Sequence, residues 1–522
     1  MTKRYVFVVI LAIERILRWF YRCYRQLIGL KISFNDAYKE WRNRARQYRP
    51  ESIVYAVMRV LSQPTANRLE DMRRAPWQAM LLVKWVCQDN FRSVDRDISD
   101  DELHDLRQRS WAFSERVELG TRDTLPGHLF LRQLVHPQIE FQRQISAGFV
   151  REAALLAKER PGSPLRALFE KKTGIGLLNF MDLAFATYAA ILDGRRSFNV
   201  GWFDSLRKTY SKDVILAFLA NVSRTFPELV NFCRGLPDST HKVASELFEF
   251  PVLSRYPFLR RGDSIECWHP AVFYRGMEGF VHSVLSEEGQ EYIDRFSKMF
   301  ERHVVEQARK LSVPFMDEKM LAACMPVGAK VPDGLLMFPS TNVFIESKAG
   351  LFDESVMTVG HSEIFARKTR ALKTAVTQAW SATVRLRKEG RAPEHAVSAT
   401  SDYLLVVTNK ELIAGRATML ASMYPPETLA YPSPEAARLL PLEHIYVLSI
   451  EDFERLVVAA SAGALDLALF LSKCVEADRK PETSVLLFEQ HLDRERVPRQ
   501  YSELVTSALD EAIERLECSF KV

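Results

Sequence analysis

Two short stretches of this chain could do chemistry together: Val331-Pro332-Asp333-Gly334 and, a few residues on, Phe344-Ile345-Glu346-Ser347-Lys348. Residues 330–338 and 342–349 are rich in Val, Leu, Ile, Phe and Met and read as strands, with Pro339-Ser340-Thr341-Asn342 as the turn signal between them. A turn centred near residue 340 puts Asp333 opposite Glu346 or Ser347 in an antiparallel pair. Two carboxylates on neighbouring strands lie within reach of one divalent cation. Glu346 and Lys348 leave the same face of their strand, because side chains alternate along it. An ammonium beside such a cation can orient a water for attack on phosphorus. The plainer alternative is an ordinary hairpin with a surface ion pair between Glu346 and Lys348.

Other elements must hold these residues in place. Upstream, residues 295–305 read as an amphipathic helix. Downstream, residues 361–389 read as one helix containing Gln378, and residues 402–408 as a buried strand. A further strand is expected at 444–448, with a helix from about residue 450. Helix, hairpin, helix, strand is an order compatible with an α/β domain built on a mixed central sheet.

This order, with Pro332-Asp333 and Glu346-x-Lys348, resembles the PD-(D/E)XK nuclease superfamily, the restriction-endonuclease-like fold, over roughly residues 285–455. The resemblance implies a Mg²⁺ site, with Mn²⁺ as a substitute, held by Asp333, Glu346 and the backbone carbonyl of Ser347. It gives Lys348 the water-positioning role and lets Glu301, in the Phe300-Glu301 pair of the upstream helix, face the metal. It places Gln378 against a phosphate. It also implies a nuclease, endonuclease before exonuclease, with DNA favoured over RNA, in a setting such as bacterial host defence or restriction.

Read from the residues alone, several of these positions stay open. Glu301 lies in a charge-rich stretch where most carboxylates are simply solvated; His303, two residues on, points to another helix face and reads as a surface or packing histidine. His361 reads as a cap-region histidine. Gln378 is off the apolar stripe of Ala375, Val376, Ala379, Trp380 and Val384. Arg367, Lys368, Arg370, Lys373, Arg385, Arg387 and Lys388 are opposed only by Glu363 and Glu389. They form either a solvated face or, following the candidate site directly, a contact for a nucleic-acid backbone through Lys368, Arg370 and Lys373.

With 522 residues, of which 47% are hydrophobic, the chain can build two to four domains with sizeable cores. The seven cysteines (Cys23, Cys87, Cys233, Cys267, Cys324, Cys474 and Cys518) are odd in number and scattered. That spacing argues against a disulfide framework or a Cys-ligated metal and points to a reducing cytoplasm. The net charge of +5 is unevenly spread: residues 1–50 carry +9, leaving −4 for the rest. This basic arm interleaves Trp19, Phe20, Tyr21, Tyr24, Trp41 and Tyr48. It suits nucleic acid, an anionic membrane surface touched by residues 1–25, or a basic helix packed on its own domain. Residues 5–13 are apolar after Lys3-Arg4, but Glu14-Arg15 end the run with no cleavage pattern, and the run is too short to span a bilayer.

Four zones follow: the basic arm 1–50, an all-α region 51–265, the nuclease-like domain 266–460 and a helical C-terminal segment 461–522. Residues 250–253 and 265–269 are expected to pair as a hairpin around Arg260-Arg261-Gly262-Asp263. No phosphate-binding loop of the Gly-x4-Gly-Lys-Ser/Thr type, no His-Glu-x-x-His and no Gly-x-Ser-x-Gly occurs. Asp333, Glu346 and Lys348 are thus the one cluster with a chemical rationale. The rival expectation is a nucleic-acid-binding or interaction protein that keeps the fold without catalysis. Oligomeric state has no signature.

Overall fold

A computed structural model describes residues 33–89, 94–111, 113, 127–143, 148–237, 242–349, 355–389 and 391–519. The described residues are mixed and mostly helical, with two small sheets. The first sheet joins β1 (Ser197–Asn199), β2 (Ser223–Thr225), β3 (Phe258–Arg261) and β4 (Ser264–Cys267) in the order β1-β4-β3-β2. Its hairpin is β3-β4, so the partner of 264–267 is 258–261 and not 250–253 as expected. The turn explains the difference. Gly262 takes φ of +57°, which with Asp263 closes a two-residue loop and claims the residues immediately upstream as the partner strand. Phe250 and Leu253 are instead buried in the core beside Trp268.

The second sheet carries the candidate residues. It runs β5 (Phe315–Asp317), β6 (Gly334–Met337), β7 (Thr341–Lys348), β8 (Ser401–Thr408) and β9 (Ile445–Ser449), in that order across the sheet. β5, β6 and β7 pair antiparallel; β7, β8 and β9 pair parallel. The parallel step from β7 to β8 needs a crossover, supplied by the helix Arg370–Lys388. Alternation then sorts the sheet's two faces. Val343, Ile345, Leu405, Val407 and Leu448 join the core that contains Phe296, Phe300 and Val304 of the helix Gln290–Ala308. Leu335, Phe344, Leu404, Val406 and Val447 join the core that contains Leu372, Val376, Ala379 and Trp380 of the crossover helix. Covered on both faces, the central strands are apolar nearly throughout.

Gly334 is fixed by close packing. A Cβ there would sit 2.5 Å from Cζ of Phe315, so a larger residue would require that ring to move. The expected single helix over 361–389 is broken in two, Ser362–Lys368 and Arg370–Lys388. Between them Thr369 leaves helical geometry (φ −105°, ψ 23°), buried with its hydroxyl on the Phe365 carbonyl at 2.7 Å and the Tyr424 hydroxyl at 2.9 Å. A tertiary partner 55 residues away thus overrides local helical preference.

Packing continues across residues 265 and 460: one hydrophobic cluster combines Phe169, Phe180 and Phe218 with the β7 face and with Phe470 and Val505. Of the basic arm, Phe34–Ala45 is a helix whose Trp41 is buried 5.2 Å from Trp85 and donates from Nε1 to the Leu106 carbonyl at 3.3 Å. Tyr48 is buried as well. These two aromatics therefore belong to the core and are not open to nucleic acid or a membrane surface. Trp19, Phe20, Tyr21 and Tyr24, the apolar run 5–13 and the membrane contact suggested for residues 1–25 lie outside the described residues. Among the described residues no single helix is long and apolar enough to cross a membrane.

Arg387, one of the basic run, is structural. Its guanidinium clamps the buried Asp402 carboxylate with two bonds of 2.8 Å, and Asp402 also accepts from Asn342 at 3.0 Å. Removing one partner of such a pair leaves an uncompensated charge. Asp402→Ala should therefore cost about 3–5 kcal/mol in urea unfolding. A loss within about 0.5 kcal/mol of wild type would show that the pair does not hold the crossover helix to β8.

Candidate active site at the carboxyl end of β7

β6 and β7 pair only from Met337–Asn342 to Gly334–Ile345; Glu346, Ser347 and Lys348 continue, paired to β8 alone. Asp333 stands in a bend just before β6, across from Glu346. Its carboxylate takes the place of the missing ladder acceptor. Asp333 Oδ2 accepts both the Ser347 backbone N–H and the Ser347 hydroxyl, each at 2.6 Å. In an extended strand a residue's N–H and C=O point to the same edge. The Ser347 carbonyl therefore also faces the edge that β6 has vacated.

Glu346 is buried, 2% exposed, at the end of an apolar strand. Its Oε1 accepts a hydrogen bond from Lys348 Nζ, and the two form an ion pair. Its Oε2 is buried with no hydrogen-bond partner among the described residues. Burial, and then repulsion from Asp333, push the Glu346 carboxyl up to about 7 despite the Lys348 ammonium. Glu301, on Gln290–Ala308, is shifted upward by burial and then by Asp333 and Glu318, against Lys348 and Lys298. Glu301 therefore shares the field of this cluster, without a hydrogen bond to it. His303 is turned away and buried, its Nε2 2.7 Å from Glu454, which Arg151 also holds at 3.0 Å. It is a packing histidine. His361 caps Ser362–Lys368 with no side-chain bond.

Does this set suit a divalent cation? Glu346 Oε2 is an orphaned buried oxygen, and Asp333 Oδ1 has no hydrogen bond among the described residues. With the Ser347 carbonyl these are three hard oxygen donors, the type that Mg²⁺ and Mn²⁺ prefer. Among the described residues no group of three or more His, Cys, Asp or Glu side chains gathers as a metal cluster. The fit rests on two carboxylates and a backbone oxygen, fewer side chains than such a cluster has.

The other sequence candidates are spread along the crossover helix. Lys368 is on the short helix before it, half-buried, its Nζ on Ser355 Oγ at 2.6 Å. Arg370 and Lys373 are exposed, with no ion-pair partner among the described residues. With Arg367, Thr374, Thr377 and Thr428 they line a surface groove of about 500 Å³. Gln378 is half-buried and forms no hydrogen bond among the described residues, to the site or elsewhere. Thr374 and Thr377 are hydroxyls on a helix face and Thr428 lies in a turn, positions that carry no signal in the sequence. No family model matches the chain, and neither does any curated protein or solved structure.

The elevated Glu346 carboxyl has a thermodynamic consequence. Below pH 4.5 it is protonated folded and unfolded; between 4.5 and about 7 only the folded state keeps the proton. Its contribution to stability is thus complete below pH 4.5 and is lost as pH rises through 7. In EDTA, wild type should lose up to about 3 kcal/mol relative to Glu346→Gln between pH 4.5 and 8, read from urea midpoints. A constant difference across that range would mean that Glu346 is ionised in the fold throughout.

Proposed function

We propose that this protein is a metal-dependent nuclease of the PD-(D/E)XK type, its α/β domain adopting the restriction-endonuclease-like arrangement within a multidomain, largely helical chain. One observation carries the reading. Asp333 and Glu346 lie side by side at a strand end, each anchored through one oxygen and unbonded at the other, with Lys348 Nζ against Glu346. A structural ion pair needs neither a second carboxylate beside it nor a buried orphaned oxygen on Glu346, and leaving that oxygen buried costs free energy unless something compensates it.

Asp333 Oδ1, Glu346 Oε2 and the Ser347 carbonyl would hold the cation, with Glu301 as an outer carboxylate. A bound Mg²⁺ or Mn²⁺ supplies positive charge for the phosphate and lowers the pKa of water. Lys348, fixed by Glu346, donates a hydrogen bond that orients the attacking water toward phosphorus. Glu346, when ionised, keeps the ammonium in place by accepting its hydrogen bond. The half-buried strand end excludes bulk solvent, which strengthens each of these interactions.

The substrate is a nucleic acid, DNA in preference to RNA, cut internally. Arg370 and Lys373 contact its backbone from their groove, Lys368 steadies that helix start through Ser355, and Gln378 adds a phosphate contact. The six described cysteines are free thiols, which suits a cytoplasmic site of action. Host defence is the setting that the family resemblance suggests.

Purified protein incubated with DNA and RNA, in Mg²⁺ or in EDTA, tests the reading. Asp333→Ala, Glu346→Ala and Lys348→Ala should each lower Mg²⁺-dependent cleavage by about 10²–10³-fold or more. Cleavage that survives EDTA, or that Glu346→Ala leaves intact, would remove the assignment. Binding of DNA without cleavage in any divalent cation would favour the interaction protein that keeps the fold. Arg370→Ala with Lys373→Ala should weaken duplex binding regardless of sequence and lower the log–log salt slope by about 0.9 for each phosphate no longer neutralised. An unchanged slope would take the groove out of the substrate path.

A further inference from the structure

The Glu-x-Lys stretch leaves its middle side chain without an assigned task, yet Ser347 is the best-bonded group in the site. Alternation sends Glu346 and Lys348 to the face of the crossover helix and Ser347 to the opposite face, with Val343 and Ile345. That face is apolar and Ser347 is 8% exposed, so its hydroxyl needs a partner. The partner is Asp333 Oδ2 at 2.6 Å. This length falls in the range of charge-assisted O–H···O⁻ bonds, about 2.5–2.7 Å.

Asp333 depends on that bond. It stands in a bend outside the ladder, and both of its hydrogen bonds come from Ser347, the backbone N–H and the hydroxyl, on one oxygen. The N–H alone leaves the carboxylate free to rotate about its Cβ–Cγ bond and exchange its oxygens. The hydroxyl approaches the same oxygen from the side-chain direction and fixes that rotation. Oδ1 is then left without a hydrogen bond, beside the edge that the Ser347 carbonyl faces.

We propose that the Ser347 side chain is a positioning residue: its hydroxyl locks Asp333 through Oδ2 so that Oδ1 is presented, together with Glu346 Oε2, to a divalent cation. The inference rests on the metal-site reading above and adds a residue to it. Loss of such an outer hydrogen bond typically weakens metal affinity by about 10–100-fold.

The test is Mn²⁺ binding by the full chain, followed by the electron paramagnetic resonance signal of free Mn²⁺, so that no activity is needed. Wild type, Ser347→Ala, Ser347→Thr, Asp333→Ala and Ser347→Ala with Asp333→Ala are compared, with urea midpoints in EDTA as the check on folding. Ser347→Ala should bind Mn²⁺ about 10–100-fold more weakly, and Ser347→Thr, which keeps the hydroxyl, should recover most of that loss. In the Asp333→Ala background, Ser347→Ala should change nothing further, because the group it positions is gone. Wild-type affinity in Ser347→Ala overturns the inference alone. So does an equal loss in Ser347→Thr with normal folding, or an undiminished loss in the Asp333→Ala background. Absence of Mn²⁺ binding in wild type overturns the metal site and this inference with it.

Discussion

The site depends on a mismatch in strand length. β7 is eight residues long and pairs with β8 over all of them, while β6 covers only its first part and ends at Gly334. β7 must stay straight, because both its faces are packed under helices. Its last three residues therefore project past β6 with one edge open. Buried backbone groups need partners, and the Asp333 carboxylate supplies one for Ser347 N–H. The same mismatch brings a second carboxylate next to Glu346 and leaves the Ser347 carbonyl on the open edge. Gly334 leaves room for the Phe315 ring of β5 against the start of β6.

Electrostatics give that geometry its tension. Asp333 and Glu346 repel each other at a half-buried strand end, Glu301 on Gln290–Ala308 lies within the field of Asp333, and Lys348 is the ammonium bonded to Glu346. Lys348 satisfies one oxygen of Glu346 and Ser347 satisfies one of Asp333. The remaining oxygens are where positive charge is most favourable. The contrast with the pairs elsewhere in the fold is informative. Asp402 has Arg387 and Asn342 on both of its oxygens, and Glu454 has Arg151 and His303. Those carboxylates are complete and belong to the core; Asp333 and Glu346 are incomplete and lie at a strand end.

The central sheet was legible because β7, β8 and β9 are continuous apolar runs, and because Glu346 and Lys348 interrupt β7 at a spacing that alternation converts into a shared face. The turn at 339–342 sets Asp333 opposite Glu346 or Ser347, and the register of β6 on β7 selects Glu346. Features that depend on distant partners were hidden. Thr369 breaks a helix because Tyr424 reaches it, and Arg387 is withdrawn from the basic run by Asp402. Trp41 and Tyr48 are core residues because Trp85 and its neighbours lie over them, although their basic flanks read as an exposed arm. Apolar content at 250–253 favours those residues as the hairpin strand, whereas the turn at Gly262 selects 258–261. Ser347 offered no signal at all: a serine between Glu and Lys looks like filler until its hydroxyl is seen on Asp333.

The proposed metal site is tested most directly by diffraction from crystals of the wild-type protein soaked in Mn²⁺, with data collected at the manganese absorption edge. One anomalous peak is expected within about 2.0–2.3 Å of Asp333 Oδ1, Glu346 Oε2 and the Ser347 carbonyl, with Asp333 Oδ2 still on the Ser347 hydroxyl. A fully ordered strand end with no peak there, or a peak elsewhere in the fold, would contradict the site.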